Sequence, residues 1–280
     1  MAEADWRTWD RAALSAAYDN SGAVAGSAAT VAGWRERSAA FREAHPGELD
    51  LPYGPQARQR IDVFRCGAAG APMLAFLHGG YWQRNAKEGF ACMAEGPLAR
   101  GLDVALIGYT LAPDATMTAI GGEVRTALAF LRSYEGERGG KPRLVVAGWS
   151  AGGHLAALAL SAGAADAGLA VSGIFDLAPI RGTVLNDALT LTEAETDALS
   201  PIRHLPEASG PLTVAYGAGE LPELRRQSCA YHAAWRGAGL PGDLVALAGH
   251  DHFSVLDELI RPDGALTDMA VGLAVGPARA

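Results

Sequence analysis

Cysteine is scarce in this chain, and so is clustered positive charge. Its cysteines are Cys66, Cys92 and Cys229. An odd, widely spaced set builds no disulfide framework and fits a reducing compartment, so a cytoplasmic location is expected. None of the three has the neighbours of a nucleophile or of a paired metal ligand. No run of Lys and Arg occurs, and the net charge is −8. Phosphate binding relies on clustered cations, so nucleic acid is not an expected partner. The first residues, Met1-Ala2-Glu3-Ala4-Asp5, are acidic and lead into tryptophans, where a signal peptide would be basic and then apolar. Residues 144–165 contain no Asp, Glu, Lys or Arg, a length that a membrane span also has. Their four glycines, two serines and His154 read instead as a strand, a tight turn and a helix inside a core. Internal repeats, low-complexity segments and dividing linkers are absent too. With 49% hydrophobic and 19% charged residues over 280 positions, a single domain with one large core is expected over residues 1–280.

What is present centres on Gly148-Trp149-Ser150-Ala151-Gly152. An apolar run, Leu144-Val145-Val146-Ala147, precedes it, and a helix-like stretch from Gly153 to Leu160 follows. That setting is what a nucleophile elbow requires: small residues flank a serine held up above the sheet edge by a sharp turn. About 70 residues upstream, His78-Gly79-Gly80-Tyr81-Trp82 follows the apolar run from Pro72 to Leu77, as an oxyanion-hole loop does in hydrolases of this design. The amides of Gly80, Tyr81 and Ala151 are the candidate donors, and one such donor contributes about 3–4 kcal/mol to transition-state stabilisation.

In this design the acid and then the histidine follow the serine. The apolar run Pro211–Tyr216 leads into Gly217-Ala218-Gly219-Glu220, and Leu244–Ala248 leads into Gly249-His250-Asp251-His252-Phe253. Glu220 is the candidate acid, with Glu223 and Asp176 as rivals. His252 is the candidate base, with His250 as its rival.

Around these motifs the chain alternates strand and helix. Strands are expected near Arg60–Phe64, Met73–Leu77, Val104–Tyr109 and Leu169–Gly173, and a helix near Thr118–Ser133 carries Ile120, Val124, Leu128 and Leu131 on one face. Continuously apolar strands alternating with helices predict an α/β fold: a mostly parallel central sheet with helices on both faces. Sites in such sheets lie beyond the carboxyl ends of the strands, where all four motifs fall. Two segments could form a small helical cap. One is the helical stretch within residues 1–50. The other is an insertion at 181–205, with a capping-box start at Thr190-Leu191-Thr192-Glu193 and a stop at Ser200-Pro201. The tail after Arg261 carries no signal.

The chemistry expected is acyl transfer. Ser150 attacks a carbonyl carbon as His252 takes its proton, Glu220 orients the imidazole, and water then releases the acyl group. No cofactor and no metal are required. The pair His250 and His252 has a spacing that can bring two ring nitrogens to one face, but no His-Glu-x-x-His helix or third ligand motif accompanies it. Tyr81, Trp82 and Trp149 are candidate aromatic surface for a flat substrate, against the alternative that they pack loop and elbow onto the core. The expected partner is a small ester or amide, with a homodimer left open and neither nucleic acid nor membrane involved.

From about Leu51 to Leu259 these motifs resemble the α/β-hydrolase superfamily. Within it, His78-Gly79-Gly80-Tyr81-Trp82-Gln83 resembles the signature loop of the kynurenine formamidase (arylformamidase) branch. Gly148-Trp149-Ser150-Ala151-Gly152-Gly153-His154, Pro222-Glu223-Leu224-Arg225-Arg226-Gln227-Ser228 and Asp251-His252-Phe253 are similar to that group too. The resemblance implies His252 as the catalytic histidine and maps the acid onto Glu220, where that branch more often carries Asp. It implies hydrolysis of N-formyl-L-kynurenine to kynurenine and formate in tryptophan breakdown. Tyr109-Thr110-Leu111-Ala112-Pro113 resembles the Tyr-Arg-Leu-Ala-Pro segment of hormone-sensitive-lipase-like esterases, with Thr110 in place of Arg. That branch and the general carboxylesterases supply the alternative activity, cleavage of short-chain esters.

Overall fold

A computed structural model describes residues 5–276. A 3-10 turn at Trp6–Thr8 leads into α1 (Arg11–Ala17), α2 (Asn20–Ala23) and α3 (Ser27–Ala44). Then come β1 (Glu48–Pro52), β2 (Arg60–Phe64) and β3 (Met73–Leu77), followed by a 3-10 run at Lys87–Ala94, α4 (Glu95–Ala99) and β4 (Asp103–Ile107). The central part is α5 (Met117–Glu137), β5 (Leu144–Trp149), α6 (Ala151–Ser161) and β6 (Ala167–Val171). Three short helices follow: α7 (Ala178–Arg181), α8 (Asn186–Leu189) and α9 (Glu193–Ala198). The chain closes with β7 (Leu212–Gly217), α10 (Pro222–Gly237), β8 (Gly242–Leu247), α11 (Asp257–Ile260) and α12 (Ala265–Val275).

One eight-stranded sheet runs β1-β2-β4-β3-β5-β6-β7-β8. The pairs β1–β2 and β2–β4 are antiparallel, and every pair from β4 to β8 is parallel. The central strands β3, β5 and β6 are apolar throughout because both faces are covered. Along β3, Met73, Ala75 and Leu77 enter one core with α5, α6 and α10, while Leu74 and Phe76 enter a second core with α3 and α12. That alternation is the period of two of a strand placed between two helical layers.

Some local expectations shift. The edge strand β1 is largely solvent-facing, so no apolar run announces it. The helix α12 lies in the tail that carried no signal. Thr192, not Thr190, caps α9, accepting from the amide of Glu195 at 3.1 Å. Thr190 instead ends α8 with a φ of 50°. Residues 144–165 are β5, the elbow, α6 and the turn beyond it, and no helix among the described residues is long and apolar enough to cross a membrane.

Candidate active site

The elbow is built by close approach. Ser150 adopts φ 57° and ψ −117° between β5 and α6, a backbone that non-glycine residues rarely adopt and that costs about 1–3 kcal/mol. Its amide donates to the carbonyl of Val171 at 2.8 Å, and its carbonyl accepts from the amide of His154 at 3.1 Å. The two motif glycines are needed by space: a Cβ at Gly148 would run into the backbone of Gly152, and one at Gly152 into the carbonyl oxygen of Leu77. Ala151 opens α6, so its amide has no partner within the helix.

The loop after β3 also carries unusual backbone, with φ of 121° at Gly80, 51° at Tyr81 and 58° at Trp82. Neighbouring segments hold it there. The Tyr109 hydroxyl donates to the carbonyl of His78 at 2.7 Å, the amide of Ala112 donates to that of Trp82 at 2.8 Å, and the Asn85 side chain donates to that of Gly79 at 3.1 Å. The segment Tyr109–Pro113 thus braces the loop from beneath.

At the far end of the sheet, the loops after β7 and β8 bring Glu220 and His252 together. His252 Nδ1 lies 3.1 Å from Glu220 Oε2, and both residues are buried. The other carboxylate oxygen, Oε1, accepts from the amide of Gly217 at 2.7 Å and from the hydroxyl of Ser172 at 2.5 Å. Asp251 holds the turn that presents His252, accepting from the amides of Phe253 and Ser254 at 2.9 Å. The rivals are engaged elsewhere. Glu223 takes the Tyr18 hydroxyl at 2.9 Å and pairs with Arg226, while Asp176 pairs with Arg203. The ring nitrogens of His250 face the Ser254 carbonyl at 3.0 Å and the Glu258 carboxylate at 3.5 Å. Among the described residues no three His, Cys, Asp or Glu side chains are grouped as a metal ion would need.

Gly80, Tyr81, Trp149, Ser150 and His252 line one cavity of about 300 Å³. A second space, about 240 Å³, adjoins Glu220 and shares Asn20 and His252 with it. A larger cavity of about 490 Å³, beside Met73 and Leu144 at the amino ends of β3 and β5, contains none of these groups.

The three aromatic candidates separate. Tyr81 lines the cavity, its hydroxyl donating to the carbonyl of Tyr18 at 2.5 Å; burial pushes its pKa well above the ordinary phenol value. Trp149 lines it too, but its indole N–H donates to the carbonyl of His252 at 2.8 Å and its ring lies 5.1 Å from the imidazole. It therefore also fixes the histidine loop. Trp82 is not among the residues lining the cavity: it is fully buried, edge-on to His154 at 4.9 Å.

Several cavity residues carried no sequence signal. Asn20, Val31 and Arg35 come from α2 and α3, and Arg84 and Asn85 from the loop beyond Trp82. Ser172 reaches Glu220 from the end of β6. None belongs to a motif, and position beyond a strand end was the sole clue for Ser172. The 181–205 segment lines neither space beside the site. It braces from outside, through Leu185 to Gln83 and Leu199 to His154.

Comparison with known proteins bears on this arrangement. A sequence-family profile described as BD-FAE matches residues 63–172. The kynurenine formamidase of Danio rerio is 32% identical over 237 residues, covering 79% of this chain and 80% of the relative. The chain belongs to the kynurenine formamidase family. Esterase LipQ of Mycobacterium tuberculosis is 29% identical over 223 residues, 68% of this chain and 53% of that protein. Among solved structures, a candidate thioesterase from Silicibacter sp. TM1040 superposes with a TM-score of 0.83 at 26% identity, covering 92% of this chain and 99% of its own. Sheet order and relatives agree on an α/β-hydrolase, and the formamidase-family chain is a hydrolase. A serine, an imidazole and a carboxylate on one rim are the groups that acyl transfer uses.

Proposed function

We propose that this chain is an arylformamidase in which Ser150 is the nucleophile, His252 the general base and acid, and Glu220 the carboxylate that orients the imidazole. The observation that carries the reading is the hydrogen-bonded line from Ser172 through Glu220 to His252, which ends at the cavity lined by Ser150. His252 takes the hydroxyl proton as the oxygen attacks the formyl carbon. The developing oxyanion is met by the amides of Gly80, Tyr81 and Ala151. His252 then protonates the departing aryl amine, and water attacks the formyl-enzyme by the same route to release formate. The substrate is N-formyl-L-kynurenine, the activity in the name of its family relatives.

A second reading, hydrolysis of short-chain esters, draws support from the similarity to an esterase. The same acyl-enzyme chemistry serves both. We assign the described helices of residues 1–50 as a cap, since α2 and α3 supply part of the cavity wall, and the reduced Cys66, Cys92 and Cys229 fit a cytoplasmic enzyme.

Turnover of N-formyl-L-kynurenine and of p-nitrophenyl acetate, with wild type and Ser150→Ala, tests this. Loss of both activities by about 10⁴-fold or more is expected in the variant, together with loss of fluorophosphonate labelling. Labelling that persists would place the nucleophile elsewhere. Brisk ester cleavage beside negligible formamide turnover would favour the esterase reading.

A further inference from the structure

None of the described residues lining the cavity beside Ser150 is an Asp or a Glu, whereas two are arginines, Arg35 and Arg84. This is unusual for a chain with a net charge of −8. Of the other exposed arginines, Arg11, Arg37 and Arg100 pair with Asp187, Glu95 and Asp268, while Arg125 and Arg181 pair with no carboxylate among the described residues. Arg35 donates to the side-chain oxygen of Asn85 at 3.2 Å and reaches no acid. The side chain of Arg84 makes no hydrogen bond or ion pair among the described residues. Both are exposed, so they stand at the rim of the cavity and not in its floor.

Asn20, on the same wall, adds an acceptor in need of a donor. It is buried, and its Nδ2 donates to the Tyr81 hydroxyl at 3.0 Å. The hydroxyl proton of Tyr81 is committed to the carbonyl of Tyr18, so turning the amide over would gain nothing. The side-chain oxygen of Asn20 is left without a donor, a costly state for a buried acceptor.

We infer that Arg35 and Arg84 form a carboxylate subsite at the mouth of the catalytic cavity, with Asn20 accepting an N–H of the same ligand. They select substrates that carry an anion remote from the scissile bond. A guanidinium offers a planar fork of donors that matches a carboxylate. Two of them on the rim of one cavity whose lining holds no Asp or Glu favour an anion there. The inference rests on the hydrolase reading and deepens it, because it states which part of the substrate the rim recognises.

N-formyl-L-kynurenine and its α-carboxamide share the formamide bond and differ in that remote charge. Wild type is expected to prefer the acid in kcat/KM by roughly tenfold or more, carried by KM, the range that hydrogen bonds to a charged group support. The double variant Arg35→Gln/Arg84→Gln is expected to lose that preference. A preference unchanged in the double variant, or none in wild type, overturns the subsite. Failure of the hydrolase reading has a different signature, turnover retained by Ser150→Ala or absent from wild type. Calorimetric binding of L-kynurenine then reads the subsite without turnover. Binding weakened by the double substitution supports it, and equal or undetectable binding overturns it.

Discussion

Ser172 shares the backbone oddity of Ser150: its φ is 52°, yet it is neither glycine nor part of a motif. Its amide donates to the carbonyl of Ala215 at 2.7 Å while its hydroxyl holds Glu220. Such strain persists where surrounding bonds over-determine it. The reason to keep it lies in the acid. Glutamate has one more torsion than aspartate, and two donors on Oε1 leave Oε2 aimed at His252. Ser172→Ala should therefore fold normally and lower kcat about tenfold with little change in KM, the loss of one bond to a charged group. Steady-state kinetics read the split; an unchanged kcat would remove Ser172 from the orienting line. Ser150, Glu220 and His252 were legible because each sits in a motif at a strand end. Ser172, Arg35 and Arg84 were not, since a lone serine or arginine acquires meaning from neighbours far away in the chain.

At the scale of elements, the N-terminal helices are tied to the rest of the molecule by a few buried polar contacts. The Tyr18 hydroxyl donates to Glu223 and accepts from Gln227, and its carbonyl accepts from Tyr81. Trp34 of α3 packs edge-on to Trp149 at 5.5 Å and donates to Asp257 at 2.7 Å. Trp34 thus ties α3 to the elbow and to the segment beyond the histidine loop. Removing the hydroxyl in Tyr18→Phe leaves Glu223 and Gln227 each short of a buried partner. A loss of about 1–3 kcal/mol is expected in urea unfolding, with faster proteolytic cleavage of α1–α3. Unaltered cleavage would mean that apolar packing alone holds the segment. The sequence showed these helices as a helical stretch within residues 1–50, and the inner strands through apolar runs. It did not show β1, a polar edge strand, or α10, read from sequence only as a stretch similar to the formamidases.

For the whole molecule, two buried histidines set a response to acid. His78 is stacked on Tyr109 at 4.4 Å, and His154 lies 2.8 Å from the Leu199 carbonyl against Trp82. Burial lowers both pKa values to about 4. The unfolded chain takes up these protons near pH 6.5, so stability is intact above that value and falls as pH drops toward 4. Each ring contributes on the order of 3 kcal/mol to that loss when it is fully expressed. Urea unfolding at about pH 7 and about pH 5 should show the decline, and His154→Gln should show a smaller one. An equal pH dependence in that variant would discard His154 as a source.

Neighbouring residues alone were enough to set the sheet-and-helix alternation, the elbow, the glycine loop after β3 and the order in which the candidate serine, acid and histidine follow one another. Those features are local: a tight turn needs glycine, and a covered strand needs apolar side chains. The assembled fold was needed to bring Glu220 and not Glu223 or Asp176 to His252, to bury Trp82 while Trp149 braces the histidine loop, and to place Arg35 and Arg84 on the rim of the cavity that Ser150 lines. Those outcomes depend on which strand ends and helices come together across the sheet, and on which charges the fold has already paired. Side chains separated by a hundred residues or more settle that between them only once the core has closed.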